Sequence, residues 1–405
     1  MKKTFAYLSI LALAITGVLV TPSTSSAVPA FARQTGYECN ACHFQYFPKL
    51  SAMGRAFKLG GLTDASVDMI EGDNMSFPAT MPVSFIVKLR YLSGAYKKSH
   101  EPPHKEDRGI WEIPDEATFF LGGRLAKNIG YALEVADHGF GKGAVLFGIP
   151  TGGDFKLGVY VQATDGHGPA NGMELNNTGF LRGQRGWEDR GNTYAAQNIG
   201  LGTGATGLGL YGGNEMFWFN VGLWGPASYF GGLKDDGKKM DAGFDMAMYY
   251  RAAFTPSVGG FDLSLGVIGS SGSVKCVHCG DDESVTEIKT DFTGADFQAQ
   301  GEMGGMTLEI TGSYVTGGGE DIAFPSSKKT NMNVGFALGV TPAFGIKANM
   351  LTVDADAEGK DMSGTGVGVW YQFAQNVYIS PEYIIFGGDG ASMDNKITVL
   401  LFLGF

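Results

Sequence analysis

Cysteine is scarce in this chain, four among 405 residues, so no disulfide framework holds the fold. Long apolar runs are missing too. After the first twenty residues no uncharged stretch is long enough for a membrane-spanning helix, which excludes an α-helical membrane protein. Positive charge is the minority sign, with 30 Lys and Arg against 41 Asp and Glu and a formal net charge of -11. There is no basic stripe, which excludes a nucleic-acid partner. No Ser-His-Asp set or carboxylate pair can be placed from spacing, so hydrolytic chemistry has no candidate residues.

What the chain has instead is glycine, 63 residues, with 12% aromatics and a mean hydropathy of -0.01. A transmembrane β-barrel has this profile, because its strands alternate between a lipid face and a wetter interior and never read as a hydrophobic block. Period two is clearest at the end: Ile397, Val399, Leu401, Leu403 and Phe405 point one way, Thr398, Leu400, Phe402 and Gly404 the other. Upstream, Ser84, Ile86, Lys88 and Arg90 oppose Phe85, Val87, Leu89 and Tyr91, so the two cations face the lumen. Similar segments are 118–126, 131–136, 156–163, 216–223, 261–267, 307–315, 333–338, 345–353, 367–373 and 378–385. Most approach the roughly 9 to 11 residues that a tilted strand needs to cross a bilayer.

Short turns at 255–260, 341–344 and 374–376 alternate with long polar connections at 96–108, 166–191, 233–241, 270–289 and 354–361. That asymmetry fits outer-membrane barrels, with the short turns on the periplasmic rim. The rival is a soluble sandwich or propeller, but no blade-length repeat is present and a sandwich needs no chain this long. The expected fold is therefore all-β, an outer-membrane antiparallel barrel over residues 82–405. At roughly 20 residues per strand and connection it has about 16 strands.

Ahead of the barrel, Lys2 and Lys3 precede an apolar stretch from Phe5 to Val20 and a small-residue site ending at Ala27. This reads as a secretory signal peptide over 1–27, with an uncleaved anchor as the alternative. Next comes Cys39-Asn-Ala-Cys-His43, the spacing of a c-type haem attachment site. Two thiols three positions apart reach the two vinyl groups of one macrocycle, and the adjacent histidine ligates the iron from the proximal side. A disulfide or half a zinc site leaves His43 unexplained. The motif occurs once, so one covalent haem c is expected on an α-helical segment over 28–62. That segment is too small for a core of its own and is expected to plug or line the lumen or its periplasmic rim. A linker over 63–81 carries Asp64, Asp68, Glu71 and Asp73.

The stretches Pro29-Ala-Phe-Ala-Arg-Gln-Thr-Gly36, Cys39-Asn-Ala-Cys-His43, Phe47-Pro-Lys-Leu50 and Gly54-Arg-Ala-Phe-Lys58 precede a glycine-rich barrel. Together they resemble the fused monohaem cytochrome-porins in the outer membrane of iron-oxidising bacteria. The resemblance implies oxidation of extracellular Fe(II) and transfer of the electron inward to a periplasmic cytochrome, by a protein seated in outer-membrane lipid. A conduit for another donor or acceptor, or a diffusion porin with a regulatory haem plug, has the same sequence features.

Four further features stay open. Met53 is a candidate distal iron ligand, which would raise the potential, or a packing residue; His100 and His104 ligate only if their loop folds inward. Cys276-Val-His-Cys279 is followed by Gly280, so it is no second haem site. It is a candidate local disulfide, or a metal site completed by His278 and one of Asp281, Asp282 or Glu283. Acidic pairs in the presumed outer loops, such as Asp235-Asp236 and Glu320-Asp321, either concentrate Fe(II) or bridge lipopolysaccharide through divalent cations. The motif count generates a first prediction. Denatured protein retains one haem through acid-acetone extraction, and a stoichiometry near two, or release of the haem, refutes the single covalent site.

Overall fold

The computed structural model describes residues 29–97, 109–136, 139–188, 199, 204–225, 239–240, 246–277, 286–319 and 327–405. The expected signal peptide, His100, His104, His278, Cys279, Asp281, Asp282 and Glu283 lie outside them, as do Asp235, Asp236, Glu320 and Asp321.

The described residues begin with three short helices: α1 (Ala30–Thr35), α2 (Cys39–Cys42) and α3 (Ala52–Leu59). A small hairpin of Met69–Glu71 against Ser76–Pro78 follows, so the linker carries structure of its own, with its four carboxylates exposed. The barrel strands are β1 (Val83–Tyr96), β2 (Ile110–Ala126), β3 (Ile129–Ala136), β4 (Gly139–Ile149), β5 (Lys156–Thr164), β6 (Ala205–Gly213), β7 (Phe217–Gly225) and β8 (Ala247–Phe254). They continue as β9 (Phe261–Ser271), β10 (Phe292–Met303), β11 (Met306–Gly317), β12 (Lys329–Gly339), β13 (Phe344–Ala355), β14 (Met362–Ala374), β15 (Val377–Gly387) and β16 (Met393–Gly404).

Among the described residues these sixteen strands pair antiparallel with their chain neighbours, and β16 closes on β1. At the seam, Phe85 and Phe405 exchange backbone hydrogen bonds of 2.6 and 2.9 Å. Closure leaves no open edge, which is what a sheet in hydrocarbon requires. The outer face presents a belt of exposed apolar side chains, including Leu208, Leu210, Leu265, Val267, Val334, Phe336, Val367 and Ile385. The inner face is polar, with Arg90, Gln162, Asn220, Arg251, Gln298, Asn331 and Thr398 buried. A closed sixteen-stranded barrel with lipid outside and polar groups inside is an outer-membrane protein.

Twelve of the strands follow the expected period-two segments, and β4, β6, β8 and β10 are additional. In β6, Ala-Thr-Gly-Leu-Gly-Leu-Tyr-Gly-Gly, glycines take inward positions, so the alternation is glycine against leucine rather than polar against apolar; β8, Ala-Met-Tyr-Tyr-Arg-Ala-Ala-Phe, has no glycine, and Ala247, Tyr249 and Ala253 on its inward face blur the contrast instead. Gly209 and Gly222 leave room for the Tyr160 hydroxyl, which a Cβ would approach to 2.7 and 2.6 Å.

The connection after β5, expected to be an outer loop, instead turns back into the lumen: residues 168–180 are almost wholly buried. Charge explains it. Arg251 on β8 is held by Glu174 of this loop at 3.0 and 3.1 Å and by Asp296 on β10 at 2.8 and 2.7 Å. Thr178 and Asn176 add bonds to Asp296 of 2.6 and 3.1 Å, and Phe180 and Trp218 lie over the guanidinium. The segment expected as a polar loop over 270–289 holds two further strands, Ser273–Val277 and Thr286–Lys289, which form a small sheet with Lys239–Met240. Cys276 is paired there with Thr286.

Arg251→Leu leaves two buried carboxylates without their cation. Its expected cost is about 3–5 kcal/mol, measured as a lower midpoint of heat-modifiability on gels, while an unchanged midpoint removes this cluster from the lumen's stabilisation.

Candidate haem centre

The N-terminal segment lies inside the barrel at the rim that carries the short turns. α1 is fastened to the start of β1: the Ala30 amide donates to Ser84 Oγ at 2.7 Å, and Arg33 donates to the carbonyls of Met81, at 3.1 Å, and Val83. Gln34 is fully buried and acts as a hub. Its Nε2 donates to the Leu62 and Asp64 carbonyls at 2.9 and 2.7 Å, and its Oε1 accepts from the Arg124 amide of β2 at 2.7 Å. Gly36 ends the helix in a left-handed conformation at φ 71°. The wall opposite is glycine: a Cβ at Gly122 would meet Phe31 at 2.7 Å, and one at Gly130 would meet the Gly61 carbonyl at 2.0 Å.

α2 is a single turn carrying both thiols, and neither is disulfide-bonded. Cys39 Sγ accepts from Asn376 Nδ2 at 2.9 Å, an asparagine in the short turn between β14 and β15. Burial raises the pKa of both thiols. The chain then loops through residues 43–50. Lys49's carbonyl accepts from the Phe44 amide at 3.0 Å and lies 3.1 Å from His43 Nδ1. A carbonyl only accepts, so Nδ1 carries the proton and Nε2 keeps its lone pair free. Burial lowers the His43 pKa, which favours the neutral, ligating imidazole. Phe47 packs edge-on against the ring at 5.0 Å.

Ser51 closes the loop onto α3, its Oγ donating to the Ala41 carbonyl at 2.6 Å and accepting from the Gly54 amide at 3.2 Å. Only glycine fits at 54, because a Cβ there would stand 2.1 Å from the Cys42 carbonyl. Met53 is beside it, 43% exposed; it is not a core packing residue. Two thiols on one turn, a neighbouring imidazole with Nε2 free and an exposed thioether one residue from the glycine that packs on Cys42 make a donor set that fits a covalent haem.

The remaining contacts tie this site to wall and loop. Tyr46 packs on Trp370 and Tyr378, and Phe47 stacks on Phe402. Gln45 donates to the Thr307 and Ala337 carbonyls at 3.2 Å each and accepts from Gln372 at its own carbonyl, 2.5 Å. Lys49 pairs with Glu309; burial alone would depress its ammonium, and the carboxylate more than offsets this, holding the pKa above its usual value. Asn177 of the inward loop grips Leu50 from both sides, at 2.9 and 3.0 Å. Lys58 donates to the Asn171 and Glu174 carbonyls at 3.3 and 3.1 Å, and burial pulls it down to about 8. Segment and loop therefore meet within the lumen, leaving a cavity of about 30 Å3 between Tyr46, Lys49, Asn177 and strands β11 to β13.

Cys39 and Cys42 lie on one helical turn with His43 directly after it, as their spacing in the sequence requires; Asn177, Glu309 and Asn376 were not among the residues singled out from the sequence. No local pattern marks them, since each acts on a residue far away in the chain.

No protein-family model matches this chain, and no curated protein matches it. Among solved structures it is similar to the outer-membrane expressed OmpT of Vibrio cholerae, at 13% identity with a TM-score of 0.46 over 84% of this chain and 100% of that one. It is also similar to OprB of Pseudomonas putida, at 12% identity with a TM-score of 0.49 over 82% and 94%. OccK2 (OpdF) of Pseudomonas aeruginosa gives 11% identity and 0.44 over 80% and 97%.

Gly54→Ala drives a methyl into the Cys42 carbonyl and displaces α2. The expected result is barrel protein of normal abundance with much reduced haem stain on denaturing gels, and undiminished stain refutes the tight fit.

Proposed function

We propose that this protein is an outer-membrane electron-transfer protein. It carries one haem c on Cys39, Cys42 and His43, accepts electrons from extracellular Fe(II) and delivers them to a periplasmic cytochrome. The observation that carries the reading is the His43 ring, oriented by the Lys49 carbonyl with Nε2 free beside two thiols. A haem held there supplies a one-electron Fe(III)/Fe(II) couple. The protein's own residues do the positioning. Asn376 orients Cys39, the Lys49 carbonyl fixes the imidazole tautomer, and Phe47, itself stacked on Phe402 of the wall, packs edge-on against the ring. Met53 is the candidate for the distal position.

A filled lumen favours electron passage over solute passage. The Arg251 cluster anchors the inward loop in the outer half, and the N-terminal segment occupies the half near the short turns. The acid pairs beyond β7 and β11 remain candidates for gathering Fe(II), and outer-membrane lipid is the partner of the apolar belt.

Adding Fe(II) to the detergent-solubilised protein is expected to reduce the haem, seen as a sharpened α-band, and Cys39→Ala or Cys42→Ala abolishes the signal. A haem that stays oxidised under excess Fe(II) from acidic to neutral pH, yet is reduced by another donor, moves the protein to the conduit reading. Deleting residues 28–80 alone is expected to raise single-channel current only modestly, because the inward loop still blocks the lumen. Deleting 168–186 as well opens a porin-sized conductance, whereas a full current from the first deletion refutes the double obstruction.

A further inference from the structure

A cleft of about 320 Å3 opens at the rim that carries the short turns. It is far larger than the lumenal cavity beside Tyr46, and it reaches the lower end of the roughly 300–1,000 Å3 typical of small-molecule sites. One wall is the N-terminal segment, with Leu59, Gly60 and Thr63 at the end of α3. The other is the barrel: Asn128 between β2 and β3, residues 149–153 after β4, Lys156 and Leu157 at the start of β5, and Tyr211 of β6. At Gly152 and Gly153 this wall is bare backbone, since an added Cβ would meet nothing within 4 Å.

Charge is sorted around this cleft. Among the described residues of 29–81, the exposed charges are all acids: Glu38, Asp64, Asp68, Glu71 and Asp73. The short turns add Asp154, Glu215 and Glu302, and two exposed cations, Lys127 and Lys156. Both cations stand at the cleft, Lys156 in its lining and Lys127 next to Asn128, while Asp154 and every other carboxylate stay out of the lining. Lys156 has no hydrogen-bond or ion-pair partner among the described residues. It faces Gly213 across the β5–β6 ladder, and one inward position further along Gly158 faces Tyr211. Tyr211 is 1% exposed and its hydroxyl is unpartnered. Glycines make its place, since a Cβ at Gly158 or Gly61 would stand 2.4 or 3.1 Å from that hydroxyl. Unpartnered polar groups recur deeper in the lumen, but the Tyr211 hydroxyl belongs to the lining of a ligand-sized cavity that also contains an unpaired ammonium.

We propose that the cleft binds a small organic carboxylate, whose oxygens accept from Lys156 Nζ and Tyr211 Oη and whose apolar body lies against Leu59, Ile149 and Leu157. A carboxylate presents two acceptor oxygens to one ammonium and one phenolic donor. A phosphate dianion would bring a second charge, for which the lining has no second cation. Because α3 forms one wall and the barrel the other, the bound acid touches both and holds the segment in its seat. Gly54, earlier in α3, is the residue that packs on Cys42, and the cleft lies at the other end of that helix. The inference therefore stands without the haem.

The test titrates the full mature protein in detergent with cyclohexanecarboxylate by calorimetry, against matched protein-free micelles, with cyclohexylmethanol and inorganic phosphate as comparisons. The carboxylate is expected to bind saturably, about tenfold tighter than the alcohol, and phosphate to give no saturable heat. Saturating carboxylate raises the midpoint of heat-modifiability, because it binds the folded barrel with its segment seated. Lys156→Gln and Tyr211→Phe, which leave the ligand-free protein heat-modifiable, each weaken binding about tenfold by removing one donor to the charged group. No saturable binding of the carboxylate overturns the proposal, as do an alcohol or phosphate that binds as tightly, or variants that bind like wild type. Neither haem content nor Fe(II) reduction is read, so failure here leaves the electron-transfer reading to its own test.

Discussion

A strand in hydrocarbon has no water to satisfy its amides, and everything else in this molecule follows from that constraint. Antiparallel pairing from β1 to β16 and closure at the Phe85–Phe405 bridge satisfy the wall. Closure at sixteen strands then creates a second problem, since a ring of that size encloses a lumen too wide for its own side chains to fill. In a diffusion pore water fills it. Here the chain fills it from both ends, with the N-terminal segment at one rim and residues 168–186 descending from the other. Buried charge on the wall finds its partners on those two inserts rather than in solvent.

The division between insert and wall also organises the chemistry. Residues that would hold the haem come from one short stretch, while those that orient them come from the barrel: Asn376 on Cys39, Glu309 on Lys49, Phe402 on Phe47. A fifty-residue segment too small to fold alone borrows its core and its hydrogen-bond partners from the sheet around it. The flanking sequences have physical roles on this view. Arg33, Gln34 and Gly36 dock the segment onto β1 and β2, and Gly54 permits α3 to rest on the turn that carries Cys39 and Cys42.

Much of this was legible in the sequence because period two and a five-residue motif are local signals. Thr398 facing in and Ile397 facing out is decided by neighbours two residues away, and Cys39 and Cys42 share one helical turn that His43 directly follows. The inward course of residues 168–186 was not legible, because its cause is Arg251, some seventy residues away across the lumen. Strand β6 was hidden for another reason. Where a plug backbone or an aromatic ring must approach the wall, as at Gly130 and Gly209, the inward residue is glycine and the hydropathy contrast disappears. High glycine content was read as a barrel signature; it is also the imprint of what the barrel contains.

The attachment points of the N-terminal segment straddle the seam where the first and last strands meet. On one side α1 holds Ser84 and the Val83 carbonyl of β1; on the other, Phe47 and Tyr46 grip Phe402 of β16 and Tyr378 of β15. Any widening of the barrel at its closing joint must tear both sets of contacts from one short rigid piece. The insert therefore works mechanically as a clasp, and the part of the molecule proposed to hold the haem is also the part that locks the ring shut.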